Sequence, residues 1–203
     1  MNPKFNTKIL YGKPVSDSLL LNISLRIDIL KNAGIVPSLS VILVGNDPAS
    51  KIYVNTKSKL FKKYGCNSEI INVDDKISEN SLIDIIQKLN SDPNCHGILI
   101  QLPIPNYINE SNIIDAISPY KDVDGFHPYN VGKLLIGDPR FVPCTPNGII
   151  EILKFYNINV SGKNCVIIGR SNIVGKPMYA LLTQNFKIGN ATVTMCHTKT
   201  KDI

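Results

Sequence analysis

Short apolar runs alternate with segments whose apolar residues recur every three to four positions. Leu39-Ser40-Val41-Ile42-Leu43-Val44-Gly45 is continuously apolar over a strand's length and reads as a buried strand. Glu69–Val73 and Gly97–Leu102 read the same way. Helical spacing predicts a first helix over Val15–Lys31, ending before Gly34, and a second after Asp47, which reads as an N-cap with Pro48 in the first turn. Ser78 is expected to cap a third helix running to about Leu89, and a fourth lies near Glu110 to Ile117. Strands alternating with helices imply a parallel sheet covered on both faces.

A boundary falls near Pro143-Cys144-Thr145-Pro146-Asn147-Gly148, where Thr145 and Pro146 read as N-cap and first residue of a helix through Tyr156. Asn164–Gly169 begins a second strand series, followed by a helix from about Gly175 and a strand over Ala191–Cys196. The pattern predicts an α/β protein of two domains, residues 1–145 and 146–203. The second holds one strand–helix–strand unit and reads as truncated at its C-terminal end.

Composition narrows the class. The chain has 203 residues, is 43% hydrophobic and 19% charged, and so is expected to bury an ordinary globular core. No apolar stretch is long enough to cross a membrane, and the start Met1–Asn6 lacks the apolar core of a secretory signal, so a cytoplasmic protein is expected. The five cysteines are scattered, without the close pairs of a zinc site, and read as reduced thiols. The net charge of +6 comes without an arginine-rich, aromatic-interleaved run. Attraction of a small anionic ligand accounts for it as well as nucleic acid would.

Lys57 stands out among the lysines of the second helix. On a 3.6-residue period it falls near the centre of an apolar face with Tyr53, Leu60, Phe61 and Tyr64, while Lys51, Lys59, Lys62 and Lys63 point elsewhere. An apolar setting desolvates an amine and suits it to proton chemistry. A lysine snorkelling along a helix edge is the plainer alternative.

Gly169-Arg170-Ser171-Asn172-Ile173-Val174-Gly175 lies between a strand and a helix, where a dinucleotide-binding turn belongs, with Ser171 in place of the usual second glycine. The next strand ends Cys196-His197-Thr198-Lys199-Thr200 without an acid to bind ribose hydroxyls. Arg170, Thr198 and Lys199 would instead receive a 2′-phosphate, which favours NADP over NAD. Gln101 ends a strand, where ligands gather in parallel sheets. Asp122 and Asp124 stand two apart in a loop without calcium-ligand spacing; one suits a polar ring edge while the other caps or pairs, turn chemistry is the plainer alternative, and His127 beside Pro128 reads as structural.

These segments, in this order, resemble the bifunctional methylenetetrahydrofolate dehydrogenase/methenyltetrahydrofolate cyclohydrolase family. The resemblance is carried by Val44–Ser50 with Tyr53–Lys57, Gly97–Pro103, Lys121–Asn130, Pro143–Gly148 and Gly169–Pro177. It implies an N-terminal catalytic domain with a parallel sheet and a Rossmann-type NADP-binding domain, the folate lying between them. It implies oxidation of 5,10-methylenetetrahydrofolate to the methenyl compound and hydrolysis of that to 10-formyltetrahydrofolate. Carried over, Lys57 is the catalytic lysine, Tyr53 packs against the folate rings, Gln101 supports Lys57 and Asp124 binds the pterin edge. Gly169, Arg170, Ser171 and Thr198 belong to the cofactor site, with threonine at 198 where the family often has serine. The resemblance also implies a homodimer, and the charge pattern and hydropathy lead us to expect neither a nucleic-acid nor a membrane partner. Further Rossmann strands, a glycine- and proline-rich folate segment and a last helix belong to the family but not to this sequence, so the second domain is expected to be incomplete and the activity weakened or lost. A ligand- or partner-binding relic, and an NADP-dependent dehydrogenase of shikimate or amino-acid type, are the competing expectations.

Overall fold

The computed structural model describes residues 7–203, and Met1–Asn6, read above for a secretory signal, lies outside the described residues. Helix α1 (Gly12–Asn32) starts three residues earlier than its apolar spacing suggests, since Pro14 is at home in a first turn. Strand β1 (Ser38–Val44) is buried almost throughout. Helix α2 (Pro48–Lys63) starts as expected, with the Asp47 carboxylate accepting from the Ser50 amide at 2.7 Å. Strand β2 (Asn67–Val73) and helix α3 (Glu79–Ser91) follow, the latter capped by Ser78. Strand β3 (Gly97–Ile100) stops two residues short of its expected end, ahead of Pro103 and Pro105, which cannot donate to a ladder. Helix α4 (Glu110–Ala116) lies where expected.

Helix α5 (Pro128–Leu135) was not predicted. Pro128 and the flanking loop read as a turn, yet Pro128 occupies the first helical position and His127 Nδ1 accepts from the Tyr129 amide at 3.0 Å. Helix α6 (Cys144–Phe155) begins ahead of the predicted Thr145 cap: Pro143 is the N-cap, and Pro146 sits within the first turn, where its missing N–H costs nothing. Strand β4 (Asn164–Ile168), helix α7 (Gly175–Thr183) and strand β5 (Thr192–Cys196) complete the chain.

The first sheet has the order β2-β1-β3, all parallel. It is covered on both faces. Ile42, Val44, Ile98 and Ile100 meet Leu82 and Ile86 of α3 and Ile113 of α4, while Leu39, Val41 and Leu99 meet Val54 of α2 on the other side. Fully burying each such side chain contributes about 1.5–3 kcal/mol. The second sheet pairs β4 with β5 in parallel. Cys165, Ile167 and Val193 pack beneath Ile150, Met178 and Leu182 of α6 and α7, but Val166 and Ile168 face outward, 62% and 73% exposed. The expectation of a sheet covered on both faces thus holds for the first sheet and not for the second, among the described residues. Packing of α1 on α6 and of α5 on α7 joins the two sheets, with the Tyr156 hydroxyl donating to the Tyr11 carbonyl oxygen at 3.0 Å.

Candidate active site

The parallel order of the first sheet brings the carboxyl ends of β1 and β3 to one edge, and the residues that follow them reach the same cleft. Tyr53 and Lys57 come from α2, Gln101 from the end of β3, Asp124 from the loop before α5, Cys144 and Thr145 from the start of α6, and Ile173 and Val174 from the turn before α7. The cleft encloses about 270 Å³.

Lys57 occupies a different setting from the one its helical period suggested. The face of α2 that meets the sheet carries Ser50, Val54 and Ser58, one turn apart, while Tyr53 and Leu60 are 54% and 41% exposed. Leu60, Phe61 and Tyr64 line a separate apolar recess against α1. Small hydroxyl residues occupy the buried positions, so the inner face of α2 carries little apolar signal in the sequence. Lys57 therefore stands at the rim of the helix, half-buried, with its Nζ 4.2 Å from the centre of the Tyr53 ring. That distance suits a cation–π contact.

Asp124 is the perturbed acid of the cleft. Burial pushes its carboxyl up to about 6, opposed by the positive charge of Lys57 and assisted by the negative charge of Asp122. The Cys144 thiol is likewise held above its ordinary range, first by desolvation and then by the charge of Asp124, with Lys57 acting in the opposite direction. That shift keeps the sulfur protonated and weakly nucleophilic. Cys144 was singled out only as one of five scattered cysteines. Its neighbours in the Pro143–Gly148 motif were the available signal that it borders the site.

Gln101 Nε2 donates to the Leu102 carbonyl oxygen at 2.8 Å, and its Oε1 is buried without a hydrogen-bond partner. Among the described residues no hydrogen bond links Gln101 to Lys57; the two share the cleft wall. His127 caps α5, in keeping with a structural role.

The turn after β4 has the backbone features of a phosphate-binding turn. Ser171 Oγ accepts from the Val174 and Gly175 amides at 3.1 and 3.2 Å and so closes the turn that leads into α7. Gly169 has φ +128°, and a Cβ on Gly175 would lie 2.3 Å from the Gly169 carbonyl oxygen. Only glycine permits that approach of helix to strand. The Gly169 amide donates to the Cys196 carbonyl oxygen at 2.8 Å, tying the turn to the segment carrying Thr198 and Lys199. Arg170, Thr198 and Lys199 are all exposed at this edge. The glycine-built tight turn before α7 and the exposed basic groups beside it fit a dinucleotide phosphate. Among the described residues no cluster of His, Cys, Asp and Glu could hold a metal ion, and no helix is long and apolar enough to cross a membrane.

Residues 10–124 match the family model for the tetrahydrofolate dehydrogenase/cyclohydrolase catalytic domain, and residues 143–203 that for its NAD(P)-binding domain. A bifunctional FolD protein of Ruminiclostridium cellulolyticum is 50% identical over 198 residues, covering 98% of this chain and 68% of that protein. The crystal structure of the bifunctional FolD methylenetetrahydrofolate dehydrogenase/cyclohydrolase from Campylobacter jejuni superposes with a TM-score of 0.91 at 45% identity, covering 96% of this chain and 68% of that one. The Trypanosoma brucei methylenetetrahydrofolate dehydrogenase-cyclohydrolase, solved with NADP and an inhibitor, superposes at 0.88 with 30% identity, over 96% of this chain and 65% of its own.

Proposed function

The chain belongs to the tetrahydrofolate dehydrogenase/cyclohydrolase family, and from that premise we propose a bifunctional, NADP-dependent enzyme of one-carbon metabolism. It oxidises 5,10-methylenetetrahydrofolate to 5,10-methenyltetrahydrofolate and hydrolyses the product to 10-formyltetrahydrofolate. One observation carries the reading: the cleft that holds Tyr53, Lys57, Gln101 and Asp124 is also lined by Ile173 and Val174 of the dinucleotide turn. A folate in the first unit and a nicotinamide in the second would meet there.

In this reading residues 1–145 form the folate unit and 146–203 belong to the NADP unit. Tyr53 offers its exposed ring as a stacking surface for the folate. The Asp124 carboxylate accepts N–H bonds from the pterin edge, and the unpaired Gln101 Oε1 accepts from Lys57 or from the substrate. Gly169, Arg170, Ser171 and Thr198 hold the cofactor, with Arg170 and Lys199 supplying charge for a 2′-phosphate. NADP, when bound, supplies hydride acceptance. The protein's part in that step is alignment of the methylene carbon, since positioning accounts for much of such a rate.

For the hydrolytic step, water adds to the cationic methenyl carbon and loses a proton, and the carbon–N5 bond then breaks with a proton delivered to N5, leaving the formyl group on N10. Lys57 is the base or proton relay, placed beside the ring surface of Tyr53. Cys144 lines the cleft beside Asp124 and is assigned no nucleophilic role. The same reading makes the protein a homodimer of the cytoplasm whose product serves purine biosynthesis, acting without nucleic acid or membrane. Light scattering on the purified protein tests the dimer.

Purified protein supplied with 5,10-methylenetetrahydrofolate and NADP is expected to form the methenyl and then the 10-formyl product, with a lower kcat/KM when NAD replaces NADP. Failure to form either product with either cofactor contradicts the proposal.

A further inference from the structure

The loop that presents Asp124 is tied from within. Asp122 is only 2% exposed, and its carboxylate accepts three N–H bonds: from the Phe126 amide at 3.2 Å, the His127 amide at 2.9 Å and Asn130 Nδ2 at 2.7 Å. Asn130, fully buried on α5, gives its other amide hydrogen to the Pro119 carbonyl oxygen at 2.9 Å. Those two acceptors fix which way the amide points, and they leave Asn130 Oδ1 buried without a partner. An unpaired buried oxygen costs stability that an apolar side chain of similar size would not. The amide at this place ties α5 to the segment that leads into the loop, at Pro119 and Asp122.

The opposite flank is held by contact. Gly125 has φ +70°, and a Cβ there would come within 3.2 Å of the Pro143 nitrogen and 3.3 Å of the Phe141 carbonyl oxygen. Asp124 thus lies between a clasp at residue 122 and a close approach at residue 125. Neither Asp122 nor Asn130 lines the cleft that Asp124 lines.

We propose that the Asp122 carboxylate and the Asn130 amide are positioning residues for folate, holding the Asp124 carboxylate where it meets the pterin edge. This rests on the folate reading of the cleft. The clasp also sets the charge around Asp124, whose neighbours are Lys57 from α2, Asp122 from its own loop and Cys144 from the start of α6. Removing the Asp122 charge lowers the pH at which Asp124 ionises, because like charge had opposed it.

Asp122→Asn keeps the size of the side chain but sets N–H against N–H at the clasp. In a variant with wild-type circular dichroism and wild-type KM for NADP, the folate KM is expected to rise ~10- to 100-fold, the range that a small misplacement commands. The change in kcat is smaller, and the acid limb of kcat/KM moves to lower pH. A folded variant with either a wild-type folate KM or an unmoved acid limb overturns the clasp. If Asp122→Asn does not fold, Asn130→Ser, which leaves the carboxylate in place, is read by folate KM alone: a rise supports the clasp and a wild-type value overturns it. Wild-type protein lacking both activities would overturn the folate reading itself, whereas active wild type with indifferent variants removes only the clasp.

Discussion

Burial holds the Asp124 carboxyl near 6, against 3.8 for an ordinary aspartate. The folded chain therefore keeps a proton there that the unfolded chain has lost, so stability falls as pH rises between those values and the penalty is complete above about 6. Two pKa units correspond to at most about 3 kcal/mol. Asp124→Asn is expected to raise stability at pH 7.5 by about 1–3 kcal/mol and to give no gain at pH 4, while the folate KM rises. Urea unfolding at the two pH values checks the sign; destabilisation at pH 7.5 would contradict it. The sequence offered Asp122 and Asp124 as a pair, and only the resemblance picked out Asp124, because its burial depends on α2 and α6, which are distant in the chain. Lys57 was legible in position but not in setting. Its period placed it amid an apolar face, and the serines at 50 and 58 that mark the true inner face gave no apolar signal.

At the scale of elements, local chemistry was the readable part. Asp47 and Ser78 cap α2 and α3 as their residue types dictate. Helices α5 and the start of α6 were missed or shifted because proline signals a first turn without fixing which position in it. The two glycines near the second unit show how the same substitution changes sign with surroundings. Gly175→Ala drives a Cβ against the Gly169 carbonyl oxygen and is expected to cost about 1–3 kcal/mol and to raise the KM for NADP. Gly148→Ala, inside α6 with nothing within 4 Å, is expected to stabilise by about 0.5–1 kcal/mol. Thermal melts of the pair decide this, and equal shifts would contradict the close approach at the turn.

Across the whole molecule, 22 basic and 16 acidic side chains leave a net charge of +6. Both proposed ligands are anions, so long-range attraction is expected to speed their encounter. Raising salt from 0.05 to 0.5 M shortens the Debye length to a few ångströms, and kcat/KM is expected to fall several-fold, with kcat changing less. A salt-independent kcat/KM would assign the charge to solvated surface alone. The α/β class and the parallel direction of the strands were readable from alternating patterns, whereas the order β2-β1-β3 was not. The packing of α1 on α6 and α5 on α7, which turns two sheets toward one cleft, was not, since it depends on side-chain contacts between distant segments.

The central claim is that this cleft performs folate chemistry with Lys57 as its proton-handling group, and Lys57→Met tests it most directly. The substitution removes the amine and retains a flexible side chain of similar length. Cyclohydrolase turnover of 5,10-methenyltetrahydrofolate is expected to fall at least ~100-fold, the lower range for loss of a general base, in a protein whose circular dichroism and melting match the wild type. Hydrolysis at the wild-type rate in that folded variant would contradict the account.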